Sequence, residues 1–190
     1  MSDSTSQRCS DAEMSEILQI AAGDTMAGVA AIDSALARYP EDARLHFLKG
    51  SMLIGEKRFI AAHSALTAAV QLDPDFHIAR FQLGFFELTS GEAQTALATW
   101  EPLRVLPSDH HLKIFVEGLE HLIADRFEQC VATLRSGMAL NTENLPLNAD
   151  MQLIIDRCIE ILGGASSPTS GDDDAISATS LLLGAGRRPN

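Results

Sequence analysis

Asp109, His110, His111 and His121 are the densest set of side chains in this sequence that could ligate a metal or carry protons. Zinc takes imidazole and carboxylate donors, but only where three or four converge on one point. Adjacent histidines diverge on a helix, and Asp109 stands where the following helix wants an N-cap, so a structural role is expected for the set. His46 and His63 fall on different helices and belong to surface or packing edges. Cys9, Cys130 and Cys158 are odd in number, widely spaced and lack a C-x-x-C pair, which predicts free thiols and neither a disulfide framework nor a zinc site. No glycine-rich phosphate loop, G-x-S-x-G elbow or H-E-x-x-H pair occurs. The expectation is a protein that is not an enzyme, with no metal and no cofactor.

The elements that would position these residues are set by a period. Gly50, Gly84 and Gly118 fall 34 residues apart, as do Phe47, Phe81 and Phe115; Ala62, Ala96 and Cys130; Leu66, Trp100 and Leu134; and Leu72, Leu106 and Leu140. Five registers of like residues sharing one period indicate an internal repeat. The first clear copy predicts a helix over about 43–54, a turn at Gly55-Glu56-Lys57, and a second helix over about 58–71. Glycines at 50, 84 and 118 would let the first helix approach the second at Ala62, Ala96 or Cys130. Phe59, Leu66, Trp100, Phe127 and Leu134 would fill the volume between neighbouring units. Pro102 sits inside a predicted second helix and should kink or shorten it. Gly137, together with Asn141 and Thr142, makes the last copy the looser one.

With Gly50, Phe59, Ala62, Leu66, Ala69 and Pro74 in the first copy, Leu83-Gly84, Gly91, Ala96, Trp100 and Leu106 in the second, and Gly118, Phe127, Cys130, Leu134 and Leu140 in the third, the pattern resembles the tetratricopeptide repeat. The resemblance covers about residues 9 to 144. It implies an all-α fold, a right-handed α-solenoid of helix-turn-helix repeats with a C-terminal capping helix. The expected organisation is a disordered N-terminus over 1–10 and a repeat domain over 11–162. Within it lie a degenerate copy at 11–42, copies at 43–76, 77–110 and 111–144, and a cap helix at 147–162. In the degenerate copy Gly23 would end the first helix in a left-handed conformation. A flexible tail over 163–190 follows, and it carries Leu181, Leu182 and Leu183.

In that family the first helices line a concave groove. Carried over residue by residue, the groove positions with apolar side chains are Phe47, Ile54, Ile78, Phe81, Phe85, Leu88, Leu112, Phe115, Leu119 and Leu122, with Arg44 and Ser51 completing the set. The resemblance thus implies a protein-binding scaffold that takes an apolar peptide or amphipathic helix of a partner protein. The phenylalanines replace the polar residues of a carboxylate clamp. Two alternatives are a small chaperone of this repeat class that keeps a secreted translocator-like client soluble, and self-assembly in which the groove or an uncovered end of the stack mates with another copy; separately, the linker is long enough for Leu181, Leu182 and Leu183 to dock in the groove of their own chain or a neighbour.

Composition narrows the partner. Twenty-six acidic residues against fourteen basic ones give a net charge of −12, which repels phosphate backbones, so nucleic acid is not an expected partner. The start MSDSTSQRCS lacks the features of a secretory signal, and no apolar run reaches the ~18 residues of a membrane span, so a cytoplasmic location is expected.

Overall fold

Ser10 opens the first helix by a reciprocal cap: its hydroxyl accepts from the Glu13 N–H at 3.3 Å, and the Glu13 carboxylate accepts from the Ser10 N–H at 3.1 Å. The computed structural model describes residues 8–164, and among these it holds nine α-helices packed in sequential pairs. Leu181, Leu182 and Leu183 lie outside the described residues. The chain divides into two compact units, one ending at Leu83 and the other beginning at Gly84.

The first unit holds α1 (Asp11–Gly23), α2 (Thr25–Leu36), α3 (Ala43–Gly55), α4 (Phe59–Leu72) and the start of α5 (His77–Thr89). Asp24 ends α1 in extended backbone and caps α2, accepting from the N–H groups of Met26 and Ala27 at 2.8 and 3.1 Å. The left-handed stop expected at Gly23 is therefore absent, because a capping aspartate already closes the corner. A Cβ on Gly28 would overlap Ala21, so the two helices touch backbone to backbone there. Cys9, Ile17, Ile32, Ala35 and Leu45 form the core beneath.

That core is fastened at its edge by charge. Asp42 caps α3 at the Arg44 N–H, and its other oxygen accepts from the Cys9 N–H at 2.9 Å. Arg44 grips the same carboxylate through Nε and Nη2 at 3.0 and 2.8 Å, and also donates to the Cys9 carbonyl. Burial pushes the Asp42 carboxyl up, but Arg44 and the two backbone donors prevail and hold it below the usual carboxylate range. Cys9 and Ser10, expected within a disordered stretch, are thus anchored. Arg44, carried over as a groove residue, is a clamp on the N-terminal segment.

The second unit holds the rest of α5, then α6 (Ala93–Trp100), a 3₁₀ turn (Glu101–Val105), α7 (His111–Ile123), α8 (Phe127–Leu140) and α9 (Leu145–Gly164). α6 has 8 residues where α4 and α8 each have 14. Pro102 accounts for this, since it has no N–H to donate and the chain tightens into a 3₁₀ turn around it. α9 packs on α8 through Met151, Ile154, Ile155 and Cys158.

The period survives in three dimensions as local geometry. Lys57, Gly91 and Asp125, 34 residues apart, all have left-handed backbone, with φ of 58°, 89° and 55°. Around each, the same hydrogen bonds close the preceding helix. The N–H groups of Arg58, Glu92 and Arg126 each reach the carbonyls of Leu53, Glu87 and His121 at 2.9 Å. The glycine register is equally regular: at Gly50 the expected neighbour is present, with the Ala62 carbonyl 3.3 Å from an added Cβ, but the nearest atoms in all three copies belong to another residue. A Cβ on Gly50 would lie 2.7 Å from Leu66, one on Gly118 would lie 2.5 Å from Leu134, and one on Gly84 would overlap the Trp100 indole. Each glycine is a notch filled by the large residue of its own hairpin, so Leu66, Trp100 and Leu134 pack within hairpins.

Candidate functional site

The histidine set does not converge. His110, not Asp109, caps α7: its Nδ1 accepts from the Leu112 N–H at 3.2 Å, and Asp109 is exposed in the turn before it. His110 stands before the helix in extended backbone, so its ring stacks on His111 at 4.9 Å instead of diverging from it. The His111 ring meets the Phe115 ring edge-on at 6.0 Å, and burial, then the neighbouring His110, push the His111 imidazole below its ordinary range. His121 sits about 16 Å further along α7 by helical rise, where its Nδ1 accepts from Arg126 Nε at 3.1 Å. Among the described residues, no three His, Cys, Asp or Glu side chains come together as a metal site would require. His46 bonds the Pro40 carbonyl at 2.9 Å, and His63 is exposed on α4.

The ten apolar groove positions separate into two classes. Phe81, Leu88, Leu112, Phe115, Leu119 and Leu122 are buried, Phe81 and Phe115 completely, and they present no surface to a partner. These six, carried over as groove positions, are core residues in this structure. For Phe115 the reason is visible: a Cβ on Gly137 would lie 2.7 Å from its ring, so the glycine on α8 receives the phenylalanine. Phe47, Ile54, Ile78 and Phe85 are half-buried and keep some surface. Phe47 leans on Phe76 with ring centroids 5.2 Å apart, and Ser51 joins α3 to α5 by donating to the Gln82 side chain at 3.1 Å.

Greater apolar exposure lies where the sequence pattern did not place it. Phe59 is 53% exposed and Ile60 is 92% exposed on the first turn of α4. Phe59 was expected to fill a space between units, yet it opens outward beside its neighbour. Together with Lys57, Arg58, Ala61 and Ser64 the two side chains line a shallow open depression. The left-handed Lys57 ends α3 and turns the chain so that α4 starts with its apolar pair facing out. The register gives this pair a contrast: one and two periods on from Ile60 stand Gln94 and Glu128, also exposed but polar. Comparing those three positions across copies would have exposed Ile60 as the odd one out.

A second exposed apolar set lies on α9, where Leu145 and Leu153 fall eight positions apart on one stripe. No protein-family model matches this chain, and no curated protein does. No helix among the described residues is long and apolar enough to cross a membrane.

Proposed function

We propose that this chain is a non-enzymatic binding protein of the tetratricopeptide type, which holds an apolar segment of a partner protein against exposed apolar side chains. The reading carries with it that family's right-handed α-solenoid. Its support is the 34-residue recurrence of glycine notches and left-handed turns. The observation that carries the binding role is Ile60, 92% exposed beside Phe59. A large aliphatic side chain left in water at a position that is polar in the next two copies gains nothing for the fold, whereas a partner covering it would remove apolar surface from water.

Lys57 and Arg58 edge this apolar pair in a chain of net charge −12, so the segment that fits carries acidic residues next to its apolar ones. Phe47, Ile54, Ile78 and Phe85 are secondary contact candidates in this reading. The test is selection of peptide binders to the folded chain from a library of acidic-apolar helices, followed by calorimetry on the wild type and on Phe59→Ser/Ile60→Ser. Loss of about tenfold or more in affinity, equivalent to at least about 1.4 kcal/mol, is expected with helicity unchanged. Selected binders that hold the double variant as tightly as the wild type would refute the assignment to this surface.

A further inference from the structure

The buried thiols of Cys130 on α8 and Cys158 on α9 lie with their sulfurs 3.8 Å apart. They are 28 positions apart in the chain, and both side chains are fully buried. Packing does not demand a thiol at 130, because the same register holds Ala62 and Ala96, each fully buried as well. Cys158 lies outside the repeat register, on the helix that covers α8. Two thiols therefore meet across one helix interface, the α8–α9 contact, at which neither is needed for hydrogen bonding elsewhere.

We propose that Cys130 and Cys158 are an oxidisable pair, converted by a hydroperoxide into a disulfide that ties α9 to α8. The bond requires the sulfurs to close from their present contact to about 2.05 Å, a movement within reach of side-chain rotation and a small shift of α9. In the first step a thiolate attacks one peroxide oxygen, forming a sulfenic acid and releasing hydroxide. The second sulfur then attacks the sulfenic sulfur, the S–S bond forms, and the departing hydroxide takes the second thiol's proton as water. Two thiols lose two protons and two electrons, and one hydrogen peroxide becomes two waters. The S–H···S contact couples the two thiols, so ionisation is a property of the pair and either sulfur can attack the peroxide first. Because both sulfurs are buried, oxidation proceeds through opening of α9.

The experiment treats the full chain with hydrogen peroxide in a Cys9→Ser background, which removes the third thiol. Intact mass is read before and after reduction, and a proteolytic map locates the linkage. A monomer lighter by two hydrogens, with residues 130 and 158 in one cross-linked peptide, is expected. Hydrogen exchange across α9 should then slow by about tenfold or more, since the closed loop restrains the opened chain. Cys130→Ala, which restores the residue of the other two copies, should fold normally and give no such species. Thiols that stay free, sulfinic acids without a cross-link, dimers joined through these residues, or unchanged exchange in α9 after cross-linking would each overturn the proposal.

Discussion

Gly84→Ala puts one methyl group into the most tightly filled notch of the structure. The three atoms nearest to the added Cβ, all within 2.7 Å, are Nε1, Cε2 and Cδ1 of Trp100, whose side chain is completely buried. A rigid indole without free space cannot rotate away as a leucine end can, so the overpacking cost belongs near the top of the usual range, about 3 kcal/mol. Helix propensity returns about 1 kcal/mol for glycine to alanine inside a helix, leaving a net loss of about 2 kcal/mol. At Gly118 the obstructing atoms are Cδ2 and Cγ of Leu134, which can shift, and the two effects there come close to cancelling. At Gly23 nothing lies within 4 Å, and alanine should stabilise by up to about 1 kcal/mol. Urea unfolding followed by far-UV circular dichroism reads these variants on one scale, including the background below that lacks Trp100, the chain's one tryptophan. A Trp100→Leu background, which reproduces the Gly–Leu pairs of the other copies, should remove more than about 1 kcal/mol of the Gly84→Ala penalty. If Gly84→Ala is as stable as Gly23→Ala, the notch is not a packing constraint and the account of the register fails.

Three further outcomes follow from named contacts. Phe115→Ala should cost about 3–5 kcal/mol in equilibrium unfolding, as expected of a core ring; retention of stability with loss of partner capture would instead return it to a binding surface. Asp42→Ala should lose about 2–3 kcal/mol through the missing cap and the abandoned Arg44 and Cys9 donors, measured as a lower urea midpoint, while Asp42→Asn keeps part of it. Glu13 is held down to about 2 from its ordinary 4.5, first by the Ser10 N–H and then by Arg38. The stability linked to it is complete above about 4.5 and is lost as pH falls toward about 2. Protection factors in α1, which remove the intrinsic pH dependence of amide exchange, should therefore fall over that window, and Glu13→Gln should flatten the response.

The helices were legible because their signals are local. The turn at 55–57 and helices near 43–54 and 58–71 correspond to α3 and α4 within a residue, and Pro102 shortened α6 as its missing N–H requires. What the sequence concealed was which side chain meets which. The glycine register showed that something must come close, but not that Leu66, Trp100 and Leu134 fill the space, because a period fixes spacing along the chain and not the rotation of one helix against another. Gly137 illustrates the limit: alone it reads as looseness, whereas beside Phe115 it is the space that the ring occupies. The same blindness hid the Cys130–Cys158 contact, since no spacing rule links a position on α8 to one on a helix outside the repeat.

These pairings restrict where the chain can carry function. A residue fixed by volume complementarity, as Trp100 is by Gly84 or Phe115 by Gly137, cannot vary without a cost in packing, so the burial of most of the groove positions removes them from the choice. Exposed positions at the start of each second helix are free of that restriction. There the register holds Thr25-Met26, Phe59-Ile60, Ala93-Gln94 and Phe127-Glu128, and only Phe59-Ile60 is a pair of large apolar side chains that are both exposed. Since folding gains almost nothing from Ile60, replacing it with glutamine or glutamate, as at the next two equivalent sites, should leave the fold within about 0.5 kcal/mol of the wild type. Any large effect of that change must then appear in binding.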